Sequence, residues 1–206
     1  MENFKQNLPE KQIIAVSASP RKGGNSDAVL ESISAGISET GISCRQIQLR
    51  DLDFKSCIGC ERCRKDKICT GLSDDLTEIY PSFIESQGLV LISPTHNYNV
   101  TAMMKAFIDR LYCFYNFENT VPRRWSSQLS GQGRKAAAVG IAEQMNEKDM
   151  GFTIPSMKLP LEALGYEFAD ELAVFGLFDR GRAKDCPDVL DNARKLGGKL
   201  ADSLKN

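Results

Sequence analysis

The chain has 206 residues, of which 42% are hydrophobic and 26% are charged, and its 26 Lys and Arg residues nearly balance 27 Asp and Glu, for a net charge of −1. This composition excludes global disorder, and the balance of charge leaves no broad basic field for nucleic acid. No apolar run approaches the ~20 residues that a membrane span needs, and the polar residues 1–12 do not resemble a signal peptide. We therefore expect a cytoplasmic protein that binds neither nucleic acid nor membrane.

Strands and helices alternate along the chain. Apolar and β-branched segments predict five short strands, at residues 11–17, 43–49, 88–93, 135–141 and 171–178. Helices are predicted at residues 25–40, 75–86, 101–115, 149–164 and 187–204, with Asn25 or Ser26 as the N-cap of the first. This rhythm is typical of an α/β fold, a flavodoxin-like doubly wound sheet of five parallel strands in the order 2-1-3-4-5. One domain is expected over residues 1–206, with a cysteine-rich loop insertion at residues 55–74.

In such a sheet, ligands bind beyond the carboxyl ends of the strands, where the strand order reverses. The loop after the first strand reads S-A-S-P-R-K-G-G-N-S. The hydroxyls of Ser17, Ser19 and Ser26 and the guanidinium of Arg21 suit a phosphate, and the following helix directs its positive dipole end at the same place. The loop is neither a Walker A motif nor G-x-G-x-x-G. A surface turn that merely starts a helix is the alternative.

Two motifs in matching places resemble the NAD(P)H-dependent FMN reductase family of flavodoxin-like proteins. They are S-x-S-P-R-x-x-G-N-S after the first strand and S-P-T-H-N-Y-N-V-T-A-M-M-K-A-F-I-D-R after the third. The resemblance implies that FMN binds without a metal ion. Its phosphate would be held by Ser19, Arg21, Asn25 and Ser26, and its isoalloxazine would lie along Pro94, Thr95, Asn97, Tyr98 and Asn99.

The residues of the second motif agree with a flavin contact. Polar side chains after the strand can pair with the pyrimidine edge of the ring, and Tyr98 can supply an aromatic wall. His96 stands where many relatives carry an aromatic residue, so we expect it to be exposed or supporting rather than catalytic. The loop after the fourth strand lacks the Gly-Gly of relatives, and Glu143 and Gln144 are its candidates for contacts near the ring.

Four cysteines crowd into a short segment with the spacing C-x2-C-x2-C-x5-C, at Cys57, Cys60, Cys63 and Cys69. Thiolates at this density are the usual ligands of a [4Fe-4S] cluster, and the pattern resembles the iron–sulfur flavoproteins, a branch of the same family. Zinc is a weaker alternative, because structural zinc sites usually use two separated Cys-x2-Cys pairs. Flavin reductases without a cluster can also carry a cysteine-rich loop that ends in an acidic pair such as Asp74–Asp75. The remaining Cys44, Cys113 and Cys186 are expected to be ordinary buried thiols.

The resemblance implies an FMN-dependent oxidoreductase in which the chemistry takes place at flavin N5, so no catalytic side chain is expected. The implied donor is NAD(P)H or a ferredoxin-type protein. The acceptor would be a quinone, flavin, azo or nitro compound, metal oxyanion or oxygen species. A homodimer or homotetramer is implied, and the aromatic stretch over residues 112–125 would pack in the core, at a subunit contact or beside a substrate. The alternatives are an electron carrier and a four-cysteine zinc or redox-sensing module.

Overall fold

A computed structural model describes residues 11–205, so the polar segment predicted not to be a signal peptide lies largely outside the described residues. The strands are β1 (Gln12–Ser17), β2 (Ser43–Gln48), β3 (Gly88–Pro94), β4 (Tyr115–Phe117), β5 (Trp125–Ser127), β6 (Lys135–Ile141) and β7 (Glu167–Val174). The helices are α1 (Asn25–Ser38), α2 (Cys63–Asp66), α3 (Asp75–Glu85), α4 (Ala102–Arg110), α5 (Glu147–Met150), α6 (Thr153–Ala163) and α7 (Pro187–Ser203). Short 3-10 turns occupy Leu49–Asp51, Leu111–Phe114 and Arg182–Asp185.

Five of the strands form a parallel sheet in the order β2-β1-β3-β6-β7. Counting only the strands of this sheet, the order is the predicted 2-1-3-4-5, and the flavodoxin-like fold is confirmed. Strand β3 lies at the centre, which explains why its sequence is apolar over residues 89–92, because a central parallel strand is covered on both faces. Strand β7 is an edge strand and alternates between exposed and partly buried residues along most of its length.

Helices cover both faces of the sheet. On β1, Ile13 and Ala15 point toward α1 and α7, whereas Ile14 and Val16 point toward α3, α4 and α6. This alternation follows from the two-residue period of a strand. Each face therefore has its own buried apolar cluster, and the loops at the carboxyl edge of the sheet are held by two cores.

Several predicted boundaries differ from the observed ones. The fifth strand was expected at residues 171–178 but ends at Val174, and Gly176 follows with a left-handed φ of 74°. The N-cap of α1 is Gly24 rather than Asn25 or Ser26, and no side chain caps the helix. The helix expected at residues 149–164 is broken at Gly151 into α5 and α6.

The helix expected at residues 101–115 ends earlier, at Arg110, and passes into a 3-10 turn. The aromatic stretch beyond it forms an antiparallel ribbon in which Phe117 of β4 pairs with Trp125 of β5. The cysteine-rich segment folds around the four-residue helix α2 rather than remaining entirely loop. Among the described residues, no helix is long and apolar enough to cross a membrane.

Candidate functional site

A polar cavity of about 210 Å³ opens at the carboxyl edge of the sheet, where the strand order reverses between β1 and β3. Six residues predicted to bind the cofactor line it together: Ser19, Arg21, Asn25, Ser26, Pro94 and Thr95. The other four do not line it. Ser17 is buried at the end of β1, and Asn97, Tyr98 and Asn99 lie on the exposed turn that follows β3.

The first loop has the features of an anion cradle. The hydroxyl of Ser17 is fully buried and has no hydrogen-bond partner among the described residues. A Cβ atom on Gly24 would lie 3.0 Å from the carbonyl oxygen of Arg21 and 3.8 Å from Ser19 Oγ, so the cradle leaves little room for a side chain there. No side chain caps α1, so no capping group competes with a bound anion for the first N–H groups of this helix at the edge of the cavity. These residues fit the phosphate of FMN.

Asn25 joins the first loop to the segment after β7. Its Nδ2 donates to the carbonyl oxygens of Leu177 at 3.3 Å and Asp179 at 3.0 Å, and its Oδ1 accepts from the N–H of Ala183 at 2.9 Å. Asn25 was predicted to bind the phosphate, and its side-chain amide is engaged by these three groups. In the structure, Asn25 holds two loops together, and its backbone N–H is the group left for an anion.

The segment after β7 forms a wall of the cavity that the sequence did not predict. Leu177, Phe178 and Arg180 all line the cavity, and Arg180 donates a hydrogen bond to the carbonyl oxygen of Lys22. The error in the fifth strand concealed this wall, because residues 177 and 178 were assigned to the end of the strand. Gly176 was the available signal, since an isolated glycine within a strand pattern often marks its interruption.

A buried ion pair supports the first loop from below. Arg50 donates to both carboxylate oxygens of Asp27, at 2.8 and 2.9 Å, and also to the carbonyl oxygen of Ser19 at 3.3 Å. The same carboxylate accepts the N–H of Gly23 at 2.7 Å. The negative charge of Asp27 is thus matched at short range and does not oppose an anion in the cradle.

The second motif forms a tight turn whose ends pair with each other. The N–H of His96 donates to the carbonyl oxygen of Asn99 at 2.8 Å, and the reverse bond is 3.1 Å long. Asn97 and Tyr98 occupy the turn with left-handed φ values of 48° and 62°. Asn99 accepts a hydrogen bond from Ser156 at 2.7 Å, so its side chain anchors the turn to α6. Asn97 and Tyr98 remain exposed at the tip.

Of the other residues near the cavity, some support the turn after β3 and others are exposed. Thr95 Oγ1 lies 3.0 Å from Thr153 Oγ1, which fixes the base of the turn. His96 lines the cavity and is exposed, which is one of the two placements expected for it. Glu143 also lines the cavity, whereas Gln144 does not. The carbonyl oxygen of Gln144 instead accepts a hydrogen bond from the N–H of Gly176.

A second cavity, of about 380 Å³, lies beside the cysteine-rich segment, and its lining includes all four clustered thiols: Cys57, Cys60, Cys63 and Cys69. Burial raises the pKa of Cys63, and the charges of the other three thiols raise it further, as expected of neighbours. Within residues 11–205 the side chains do not already stand as a metal-ligand set of three or more His, Cys, Asp or Glu. Four thiols around one cavity nevertheless have the donor chemistry of an iron–sulfur site.

The other cysteines differ from the expectation of three buried thiols. Cys44 and Cys186 are only partly buried. Cys113 is buried and lines the same cavity as the clustered thiols, and burial raises its pKa to about 12. Cys113 is therefore a fifth thiol of this cavity, held in its neutral form.

Arg110, at the end of α4, closes the base of the cysteine loop, which we define as residues 55–74. Its guanidinium donates to both oxygens of Asp74 at 2.7 and 3.0 Å, to the carbonyl oxygen of Lys55 at 2.8 Å, to Thr77 Oγ1 at 3.3 Å and to the Tyr80 hydroxyl at 3.1 Å. These contacts use all five donors of the guanidinium. Since Lys55 and Asp74 are the two ends of the loop, one buried side chain ties both ends to α4.

Aromatic residues hold the outer side of the cysteine loop. Arg64 of α2 lies over the ring of Phe117 at 5.2 Å and donates to the hydroxyl of Tyr112 at 3.2 Å. Tyr112 and Tyr115 line the cysteine cavity, whereas Phe114 packs in the core. The aromatic stretch thus serves partly as core and partly as a wall of this cavity.

The fold and the polar cavity are those of a flavodoxin-like protein. A family model described as NADPH-dependent FMN reductase matches residues 12–146, and the chain belongs to this family, as the two motifs indicated. It is therefore an FMN-dependent oxidoreductase.

Relatives and solved structures agree with this family. An iron–sulfur flavoprotein of Methanocaldococcus jannaschii is 30% identical over 198 residues, which cover 94% of this chain and 97% of the relative. An iron–sulfur flavoprotein of Archaeoglobus fulgidus is 25% identical over 196 residues, covering 94% of this chain and 80% of the relative. The structure of an NAD(P)H:quinone oxidoreductase from Methanothermobacter marburgensis matches with a TM-score of 0.70 and 22% identity, over 93% of this chain and 99% of that one, which shows the shared fold.

Proposed function

We propose that this enzyme takes electrons from NAD(P)H or a ferredoxin-type donor and passes them to a small acceptor, with one [4Fe-4S] cluster held by the cysteine loop in addition to FMN. The acceptor class is a quinone, flavin, azo or nitro compound, metal oxyanion or oxygen species. The observation that carries the proposal is the polar cavity at the switch in strand order, because six residues predicted independently from two motifs meet there.

The chain's own residues have distinct tasks in this proposal. Bound FMN supplies the redox chemistry, while the protein binds it, orients it and limits access of water. Arg21, Ser19 and Ser26 hold the phosphate at the start of α1, where N–H groups and the helix dipole favour an anion. Asn97 and Tyr98, exposed on the turn after β3, face the flavin ring.

Four features of the cysteine loop support the cluster. Its four thiols line one cavity, its ends are fixed by Arg110, its outer side packs on aromatic residues, and the relatives that match nearly the whole chain bear the name iron–sulfur flavoprotein. We assign the ligands as Cys57, Cys60, Cys63 and Cys69. Cys113 lines the same cavity from the 3-10 turn that follows α4, and we do not count it among the ligands.

The proposal extends to assembly and location. We infer a single flavodoxin-like domain that works in the cytoplasm as a homodimer or homotetramer. Large apolar side chains are exposed near the proposed flavin contacts, among them Tyr98 and Phe152, whose backbones are joined by a 2.7 Å hydrogen bond. Subunit pairing would cover this surface. Sedimentation analysis across a range of concentrations tests the oligomer.

The experiment for both cofactors is a visible spectrum of anaerobically purified protein with assays of iron and acid-labile sulfide. We expect flavin bands, a broad cluster absorbance and about four irons per chain, the content of one [4Fe-4S] cluster. Cys60→Ala should lose the iron while FMN stays bound, since the two cavities have no lining residue in common. Cys44→Ala is the matched control, because Cys44 is partly buried on β2 and does not line either cavity.

Three outcomes would contradict parts of the proposal. Iron and sulfide at background after anaerobic reconstitution, with full NAD(P)H-dependent turnover, would remove the cluster and leave a plain flavin reductase. Bound FMN that cycles with a redox protein but never turns over NAD(P)H with small acceptors would favour the electron-carrier alternative. Bound zinc without flavin bands would favour the sensing module.

A further inference from the structure

The polar cavity carries more positive charge than the first loop alone supplies. Arg21 and Arg180 both line it, and neither forms an ion pair with another residue in the range 11–205. Arg180 uses its guanidinium for one backbone contact, to the carbonyl oxygen of Lys22. Because a guanidinium has five N–H donors, most of those of Arg180 remain for a ligand.

Arg180 sits on a segment that the structure fixes in place. Asn25 bonds to three backbone groups of residues 177–183, which brackets Arg180 on both sides. Gly181 has a left-handed φ of 80° and approaches the first loop so closely that a Cβ on it would lie 3.3 Å from the carbonyl oxygen of Gly23. The position of Arg180 beside the cradle is therefore set by backbone contacts, although its side chain is exposed.

The charge of the ligand explains why two cations are needed. The phosphate of FMN is a monoester and carries nearly two negative charges at neutral pH, because its second pKa is about 6. A guanidinium can bind phosphate oxygens through two parallel N–H bonds. Arg21 alone would leave about one charge unmatched in this cavity, and Glu143 on its rim adds a further negative charge.

We propose that Arg180 is a second ligand of the FMN phosphate and that it selects the phosphorylated flavin over riboflavin. This inference rests on the proposed function, since it places the phosphate in the first-loop cavity. Arg21 approaches from the loop after β1, and Arg180 approaches from the segment after β7. The phosphate site is then built by both ends of the fold rather than by the first loop alone.

The test compares FMN with riboflavin, which lacks the phosphate. Apoprotein is titrated with each flavin by fluorescence for Arg180→Ala, Arg180→Lys, Arg21→Ala and Arg182→Ala. Hydrogen bonds to charged groups contribute enough that Arg180→Ala should weaken FMN binding about tenfold to hundredfold. The riboflavin affinity of Arg180→Ala should change less than about twofold. The FMN affinity of Arg180→Lys should lie between that of the original protein and that of Arg180→Ala, because lysine keeps the charge but not the planar fork.

Arg182→Ala is the matched control. Arg182 belongs to the same segment, pairs with Asp185 at 3.4 Å and does not line the cavity, so both affinities should stay at their original values. An equal loss of FMN and riboflavin affinity in Arg180→Ala would assign Arg180 a structural role and overturn the proposal. Unchanged FMN affinity in Arg180→Ala, with selective loss in Arg21→Ala, would also overturn it but keep the first-loop phosphate site. If both variants bound FMN normally, the phosphate site itself would be wrong.

Discussion

Replacing Arg110 with alanine should destabilise the protein strongly, because this change removes all the guanidinium bonds at the base of the cysteine loop and leaves its ends joined by the bond from the Lys55 N–H to Asp74. The guanidinium is buried, and its partner Asp74 has only 11% of its side chain exposed. Without Arg110, that carboxylate, the Lys55 carbonyl oxygen and the Tyr80 hydroxyl lose a donor in a poorly solvated place. Breaking a buried ion pair by removing one partner costs about 3–5 kcal/mol.

The expected loss converts to a measurable shift of the melting temperature. For a chain of this size, each kcal/mol lowers Tm by about 2–4 °C, so Arg110→Ala should melt roughly 6–20 °C lower. Arg110→Lys should also lose stability, because an ammonium has three donors and cannot reach all the partners of the guanidinium fork. Melting curves are recorded with fixed, saturating FMN, since bound ligand raises apparent stability.

Asp109→Asn is the control for this prediction. Asp109 precedes Arg110 on α4 and pairs with Lys105 on the exposed face of the same helix, where such pairs contribute about 0.3–0.5 kcal/mol. Limited proteolysis should cut Arg110→Ala, but not the control, within residues 55–74. If Arg110→Ala unfolded within about 1 kcal/mol of Asp109→Asn and resisted cleavage there, Arg110 would not be the closure of the loop.

Two further predictions concern the flavin turn and acid stability. Asn97→Gly keeps the left-handed backbone at φ 48° and removes the side chain with its amide, so it should shift the flavin potential or weaken FMN binding without lowering Tm. Unchanged potential and unchanged FMN affinity would make Asn97 a turn residue only. Burial alone would raise the pKa of Asp74, but hydrogen bonds from Arg110 and the Lys55 N–H lower it to about 2. A carboxyl group whose pKa is lower in the folded state adds stability above about pH 4, and this stability is lost as the pH falls toward 2. The free energy of unfolding should therefore drop between these pH values, and Asp74→Asn should make the drop shallower. An equally steep drop in the variant would contradict this assignment.

The sequence was sufficient for the fold because its strongest patterns are local. Residues 89–92 and 136–141 contain only apolar residues and glycine, and the segments predicted around them, 88–93 and 135–141, form interior strands within a residue of the predicted limits. The limits predicted for the fifth strand were wrong because this strand lies at the edge of the sheet. Its exposed positions make residues 167–170 look polar, whereas residues 175–178 beyond it resemble a strand, although Leu177 and Phe178 line the cavity.

In the candidate site, too, local patterns predicted some residues and missed others. Ser19, Arg21 and Thr95 could be predicted because motifs place them just beyond strand ends. The contribution of Arg180 could not, since it depends on contacts between segments about 158 residues apart, which no local pattern encodes. The role of Arg110 was equally hidden: an arginine at a helix end predicts a charge there, but not which loop ends it joins.

The bridge from Asn25 to the segment after β7 also has a consequence for the order in which the protein is made. Ala183, the last partner of Asn25, is separated from it by 158 residues. Synthesis at about 5–20 residues per second puts roughly 8–30 s between the emergence of the first loop and the emergence of this partner. Through that interval the cavity lacks its wall from residues 177–180. The nascent chain therefore passes through this interval without a complete cofactor site.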